Sequence, residues 1–124
     1  EGVGIHQATQ KRGRRWSTSM AYLRPAMKRK NLTVMTDAPV RRVLMENSNA
    51  KGVELNDGRH LFAKYETILS AGSIISPKIL MLSGIGDPEE LKRHGIEIKR
   101  PLIGVGKNLQ DHAAVHVPCL TDDR

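Results

Sequence analysis

Cysteine is almost missing from this chain. Cys119 stands alone among 124 residues, so no internal disulfide and no C-x-x-C zinc cluster can form. One unpaired thiol fits a reducing or an oxidising compartment, and the compartment stays open. Aromatics are nearly as scarce: only Trp16, Tyr22, Phe62 and Tyr65. That argues against single-stranded nucleic acid, whose bases stack on aromatic platforms. No apolar run approaches the roughly 18 residues that a membrane-spanning helix needs. Three motifs are also lacking. There is no G-x-S-x-G nucleophile elbow, so Ser83 beside Asp111-His112 makes a poor triad. There is no G-x-G-x-x-G fingerprint, because Gly84-Ile85-Gly86 and Gly104-Val105-Gly106 are isolated pieces, and Lys107 is followed by Asn108 rather than by a Walker serine or threonine. No secretory leader is legible, and an opening of Glu1-Gly2-Val3-Gly4 reads as an excised segment rather than a native start.

Charge of one sign is what the first half has in excess. The net charge is +7, and residues 1 to 62 carry all of it, with twelve Lys and Arg against five Asp and Glu. The cations cluster in Lys11-Arg12-Gly13-Arg14-Arg15, Lys28-Arg29-Lys30 and Arg41-Arg42. Such a field suits a polyanion or an anionic cofactor, and equally a solvated basic face. With 39% apolar residues, one domain with a lean core is expected.

Along the chain, residues 1 to 15 read as irregular. Ser17, Thr18 and Ser19 offer N-cap oxygens to a helical piece through Leu23. Pro25 interrupts it and starts a second piece to about Lys30. Leu32 to Thr36 turns β-rich. Val40 to Glu46, Lys51 to Leu55 and Arg59 to Lys64 follow as short strands, separated by Asn47-Ser48-Asn49 and Asn56-Asp57-Gly58, which are turn sequences. This is a β-meander. Tyr65 to Ser70 then reads as a buried parallel strand. Ala71-Gly72-Ser73 is a turn, with Ser76 as N-cap, Pro77 as first helical residue, Ile79, Leu80 and Leu82 facing a core, and Gly84 as the stop. Asp87 to Gly95 encodes a second helix from cap to stop. Ile96 to Lys99 reads as a strand. The five methionines read as core filler. His6, His60 and His94 read as surface or capping groups, and His112 with His116 as an unpromising metal pair.

The stretch from Leu69 to Ile79 carries the chemistry. Small residues after a buried strand let a ligand approach the backbone without meeting a Cβ. The helix start that follows offers unpaired N–H groups and partial positive charge. A nucleotide or another anion is the sensible guest; a turn needing small residues only for packing is the plainer reading.

Gly72-Ser73, Ser76-Pro77, Ile79-Leu80 and Ser83-Gly84-Ile85-Gly86 stand at the spacing of the second signature of the glucose-methanol-choline (GMC) oxidoreductases, which this run resembles. Ala21-Tyr22-Leu23, Asn31-Leu32-Thr33-Val34, Gly52-Val53-Glu54 and Gly104 through His112 agree in order, so the likeness covers about residues 12 to 112. The resemblance implies an FAD enzyme that oxidises a small-molecule alcohol. A hydride would leave the carbinol carbon for the flavin while a histidine outside this region takes the hydroxyl proton. It implies an α/β fold, a partial Rossmann-like FAD-binding domain with a β-meander, and cofactor contacts at Val40, Ala71 and Gly72. Asn108 to His112 read as a loop near the flavin ordered by its polar side chains, with direct substrate contact as the sharper alternative. The resemblance names neither the alcohol nor the electron acceptor. With the fingerprint and the histidine missing, the resemblance implies that the chain is a middle portion of a larger flavoenzyme, expected to be inactive alone. A free-standing basic polyanion-binding module and an inactive remnant of the family are the alternatives.

Overall fold

The computed structural model describes residue 4, residues 7–115 and residue 117. Cys119, His6 and the His116 half of the histidine pair lie outside them. The chain divides into two units, Glu1–Asp37 and Ala38–Arg124.

In the first unit, β1 (Gln10–Lys11) pairs antiparallel with β2 (Arg14–Arg15). Arg12 and Gly13 between them have φ of 52° and 70°, the left-handed pair that a two-residue hairpin requires. The sequence reads this region as irregular; with only one glycine in the turn, the hairpin signal is faint. A π-helical turn, Ser19–Leu23, runs into α1 (Arg24–Ala26). Ser17 Oγ accepts from the Met20 N–H at 3.4 Å, so one of the three anticipated oxygens does meet the helix start. The helix ends at Ala26 rather than near Lys30. Leu32 to Thr36 finds no ladder partner and is not a strand.

The second unit contains the anticipated meander: β3 (Val40–Glu46), β4 (Asn49–Leu55) and β5 (His60–Phe62), antiparallel in that order. Asn47 and Ser48 take φ of 47° and 65° in the first turn. The Asp57 carboxylate accepts from the Arg59 N–H at 3.0 Å in the second. The register slips between Val40 and Arg42, leaving Arg41 as an extra residue. A bulge of this kind undoes strict alternation. Consecutive Arg41 and Arg42 therefore both reach Glu54, at 3.1 and 2.7 Å.

An 11-residue helix, α2 (Gly72–Leu82), packs on β3. It leads through β6 (Ile85–Gly86) to α3 (Pro88–Arg93) and β7 (Arg100–Pro101), which lies parallel to β6. The buried apolar core is small, as the composition anticipates: Val43, Leu55, Ile79 and Leu91. The architecture is mixed α/β.

Further readings need correction. Tyr65 to Ser70 is not a strand, and Tyr65 and Ile68 are 86% and 77% exposed. A buried parallel strand needs neighbours on both edges, and the described residues supply none. Helix α2 begins at Gly72, not after Ser76; Ser76 Oγ instead accepts from the Ala71 N–H at 3.0 Å, and Pro77 sits inside the helix. Pro77 therefore leaves the Ser73 carbonyl without its helical donor. Leu82, Met27 and Met35 are exposed rather than core, and the short strand falls at Arg100–Pro101, just after Ile96 to Lys99. Helix α3 follows its code: Asp87 accepts from the Glu89 N–H at 3.1 Å, Pro88 opens the helix, and His94 closes it. His60 and His94 are surface groups, His94 bonding to Glu90 at 3.1 Å.

Candidate cofactor corner and the adjoining cleft

Helix α2 starts from a bare corner. Ala71 is its N-cap residue, at φ −87° and ψ 11°, and no side chain caps the helix. Gly72 has φ +87°, and a Cβ built there would meet nothing within 4 Å. Residues 71–75 are all exposed. The first N–H groups of a helix have no intrahelical acceptor and carry its positive dipole end. Backbone donors, no cap and no Cβ at Gly72 make a surface that a flat or anionic ligand can touch directly. Residues of this kind fit one end of a dinucleotide. Val40 opens β3, half-buried, opposite Leu55.

Beside the corner lies a cleft of about 890 Å³. One face of α2 forms a wall with Ser73, Pro77 and Met81, and the other wall is the loop Gly106 to Gln110. Ser73 borders the cleft, but Ala71, Gly72 and Val40 do not line it. The loop is tethered by Lys107, whose ammonium donates to Asp87 Oδ2. That bond, with the Glu89 N–H, holds the Asp87 carboxyl below its ordinary range. Asp111 Oδ1 accepts from the His112 N–H at 2.7 Å, a local bond of the kind expected of Asn108 to His112.

Two roles are not evident from the sequence. The Ser83 hydroxyl is buried, donates to the Ile79 carbonyl at 2.6 Å and accepts from the Val43 N–H at 2.8 Å. The first bond closes the end of α2 on itself and the second joins it to β3, so the buried hydroxyl is engaged as donor and as acceptor in packing. Glu54 is a buried carboxylate serving Arg41, Arg42 and, at 3.7 Å, His60. The Arg42 hydrogen bond lowers its pKa, against the opposing effect of burial, and the charges of Arg42, Arg41 and His60 lower it further. The run Gly52-Val53-Glu54 was the only signal for it. Thr67 Oγ1, in the segment before the corner, is buried with no partner. Among the described residues no group of three or more His, Cys, Asp or Glu could hold a metal ion, and no helix is long and apolar enough to cross a membrane.

The family model of the N-terminal region of GMC oxidoreductases matches residues 1–114. An oxygen-dependent choline dehydrogenase of Brucella anthropi is 47% identical over 120 residues, covering 94% of this chain and 22% of that protein. An alcohol dehydrogenase [acceptor] of Pseudomonas putida is 43% identical over 129 aligned positions, covering 100% of this chain and 23% of that protein. The crystal structure of pyridoxine 4-oxidase from Mesorbium loti superposes with a TM-score of 0.67 at 33% identity, over 74% of this chain and 19% of that one. The chain thus spans about a fifth of the length of the curated relatives it matches.

Proposed function

Because the chain belongs to the GMC oxidoreductase family, we propose that it is part of an FAD-dependent enzyme that oxidises an alcohol, and that it contributes the corner receiving the adenosine end of the cofactor. The observation that carries this is the open, left-handed corner at Gly72 on an uncapped helix start. In this reading Ala71 and Gly72 offer bare main chain, Val40 offers backbone atoms to the adenine, and the first turn of α2 supplies unpaired N–H groups. When bound, FAD accepts the hydride of the alcohol; these residues hold and orient it.

The 65–70 segment supports the same reading. Tyr65 and Ile68 lie exposed, and the Thr67 hydroxyl is buried without a partner. Both features are those expected of an extended segment that would become a strand once given sheet neighbours. A Rossmann-like sheet completed by the rest of a larger protein would pair it and would bring the phosphate-binding fingerprint that this chain lacks.

The test is made on the full-length gene product. Purified protein is expected to show flavin absorbance, and Gly72→Val to lower the fraction of protein that retains FAD while the protein stays folded. A colourless, flavin-free product, or full FAD retention in the Gly72→Val protein, would remove the proposal's support.

A further inference from the structure

The first unit holds charge that the second does not. In the second unit most cations have a carboxylate: Arg41 and Arg42 share Glu54, and Lys51, Arg59, Lys92, Arg93 and Lys107 each have one. The described part of the first unit holds eight Lys and Arg and a single acid, Asp37. Among the described residues none of those eight makes an ion pair.

The β1–β2 hairpin concentrates this excess. Its ladder sets Lys11 directly opposite Arg14, an arrangement of like charges that opposes folding. The ladder continues to Trp16, whose N–H donates to the Thr9 carbonyl at 2.9 Å. Trp16 follows Arg14 by two residues and so shares its face, and the Lys11 ammonium lies 4.8 Å from the indole centroid. Arg12 is at the tip. All four cations are exposed. Thr18 is shared between a hollow beside the hairpin, lined by Thr9 and Arg15, and a second hollow lined by Tyr22, Leu23, Ala26 and Leu32.

We propose that this hairpin docks on the anionic phospholipid headgroups of a membrane surface. Guanidinium groups match phosphate oxygens in a bidentate fork, and a phosphate between Lys11 and Arg14 would turn their repulsion into attraction. An indole among cations is the pairing found at headgroup depth, and an adjoining apolar hollow suits the first carbons of an acyl chain. Single-stranded nucleic acid fits less well, because Lys11 already occupies the indole against which a base would stack. This inference is independent of the FAD assignment.

The experiment is co-sedimentation of the full-length gene product with vesicles. Phosphatidylglycerol in phosphatidylcholine is compared with phosphatidylcholine alone, and duplex DNA and inorganic polyphosphate serve as alternative ligands. Binding to the anionic vesicles is expected, and its loss at high salt. Arg12→Gln with Arg14→Gln is expected to lower the partition constant about thirty-fold, from about 1 kcal/mol per cation at about a tenfold factor for each 1.4 kcal/mol. Lys28→Gln with Lys30→Gln removes the same charge and should lower it distinctly less. No binding, equal binding to neutral vesicles, or equal loss in the two double variants would overturn the proposal. Tighter binding to DNA or polyphosphate than to vesicles would overturn it too.

Discussion

Helix α2 has a left-handed glycine at each end, and the two do opposite things. Gly84, at φ +84°, is walled in: a Cβ there would lie 2.4 Å from the Glu97 carbonyl oxygen. Gly72, at φ +87°, is open: a Cβ there would meet nothing. The C-terminal end is closed further by Ser83, which spends its hydroxyl on Ile79 and Val43. The N-terminal end has no side-chain cap. One signature, running from Gly72 to Gly86, thus joins a half that packing requires to a half that packing within this chain does not explain. The conformation of Gly72 favours glycine by itself, and the free space beside it leaves room for a contact from outside; that contrast is the physical basis of the proposal that the cofactor meets one end only.

The largest effect should come from the packed end. Gly84→Ala forces a left-handed β-carbon into backbone and is expected to cost about 3 kcal/mol or more. Urea unfolding of the chain measures it; a loss below about 1 kcal/mol would mean that the loop at Glu97 gives way and that the contrast is false. Ser83→Ala comes next. It strips the acceptor from a buried Val43 N–H and is expected to cost about 2 kcal/mol. Ser83→Cys, which keeps the volume but bonds weakly, should not restore it. Gly72→Ala carries only the left-handed penalty, about 1 kcal/mol, because space is free. Equal destabilisation by Gly72→Ala and Gly84→Ala would erase the distinction between the two ends.

How far the sequence could be read follows the same division. Local codes were legible wherever a residue acts on its own neighbours. Asp87, Pro88 and Gly95 spell α3, and Asn47-Ser48 and Asn56-Asp57-Gly58 mark the meander turns. Partners distant in sequence were not legible. Ser83 meets Val43 forty residues away, and no pattern announces it. The slip at Arg41 that gathers two arginines on Glu54 is a property of register, which β-branched spacing does not encode. Tyr65 to Ser70 has a strand's composition, yet composition without a ladder partner makes no strand. At the candidate corner, the special character of Gly72 was legible because its conformation is local. The start of α2 was misread because Ser76 faces back to Ala71 instead of capping forward. The cleft walls, from α2 and the distant loop at Lys107, were not foreseen as one surface.

The smallest effect near neutrality concerns the sheet on which the packed end rests, and its mark lies in the pH dependence. Glu54 has its pKa lowered in the folded chain, first by the Arg42 hydrogen bond and then by the charges of Arg42, Arg41 and His60. A carboxyl whose folded pKa lies below its unfolded one stabilises the fold above the unfolded value. That contribution is lost as pH falls through the folded value. Stability should therefore decline as pH drops below the ordinary glutamate value of 4.5. Asp57, lowered by Arg59, and Asp87, lowered by Lys107, contribute to the same acid limb. Glu54→Gln keeps the shape and an oxygen acceptor but has no proton to gain, so its urea midpoint should fall less steeply over that range. Parallel curves for the two proteins would mean that Glu54 titrates alike in the folded and unfolded chains. The arginine pair of β3, at 62% and 45% side-chain exposure, would then be directing its charge to water rather than to Glu54 on β4.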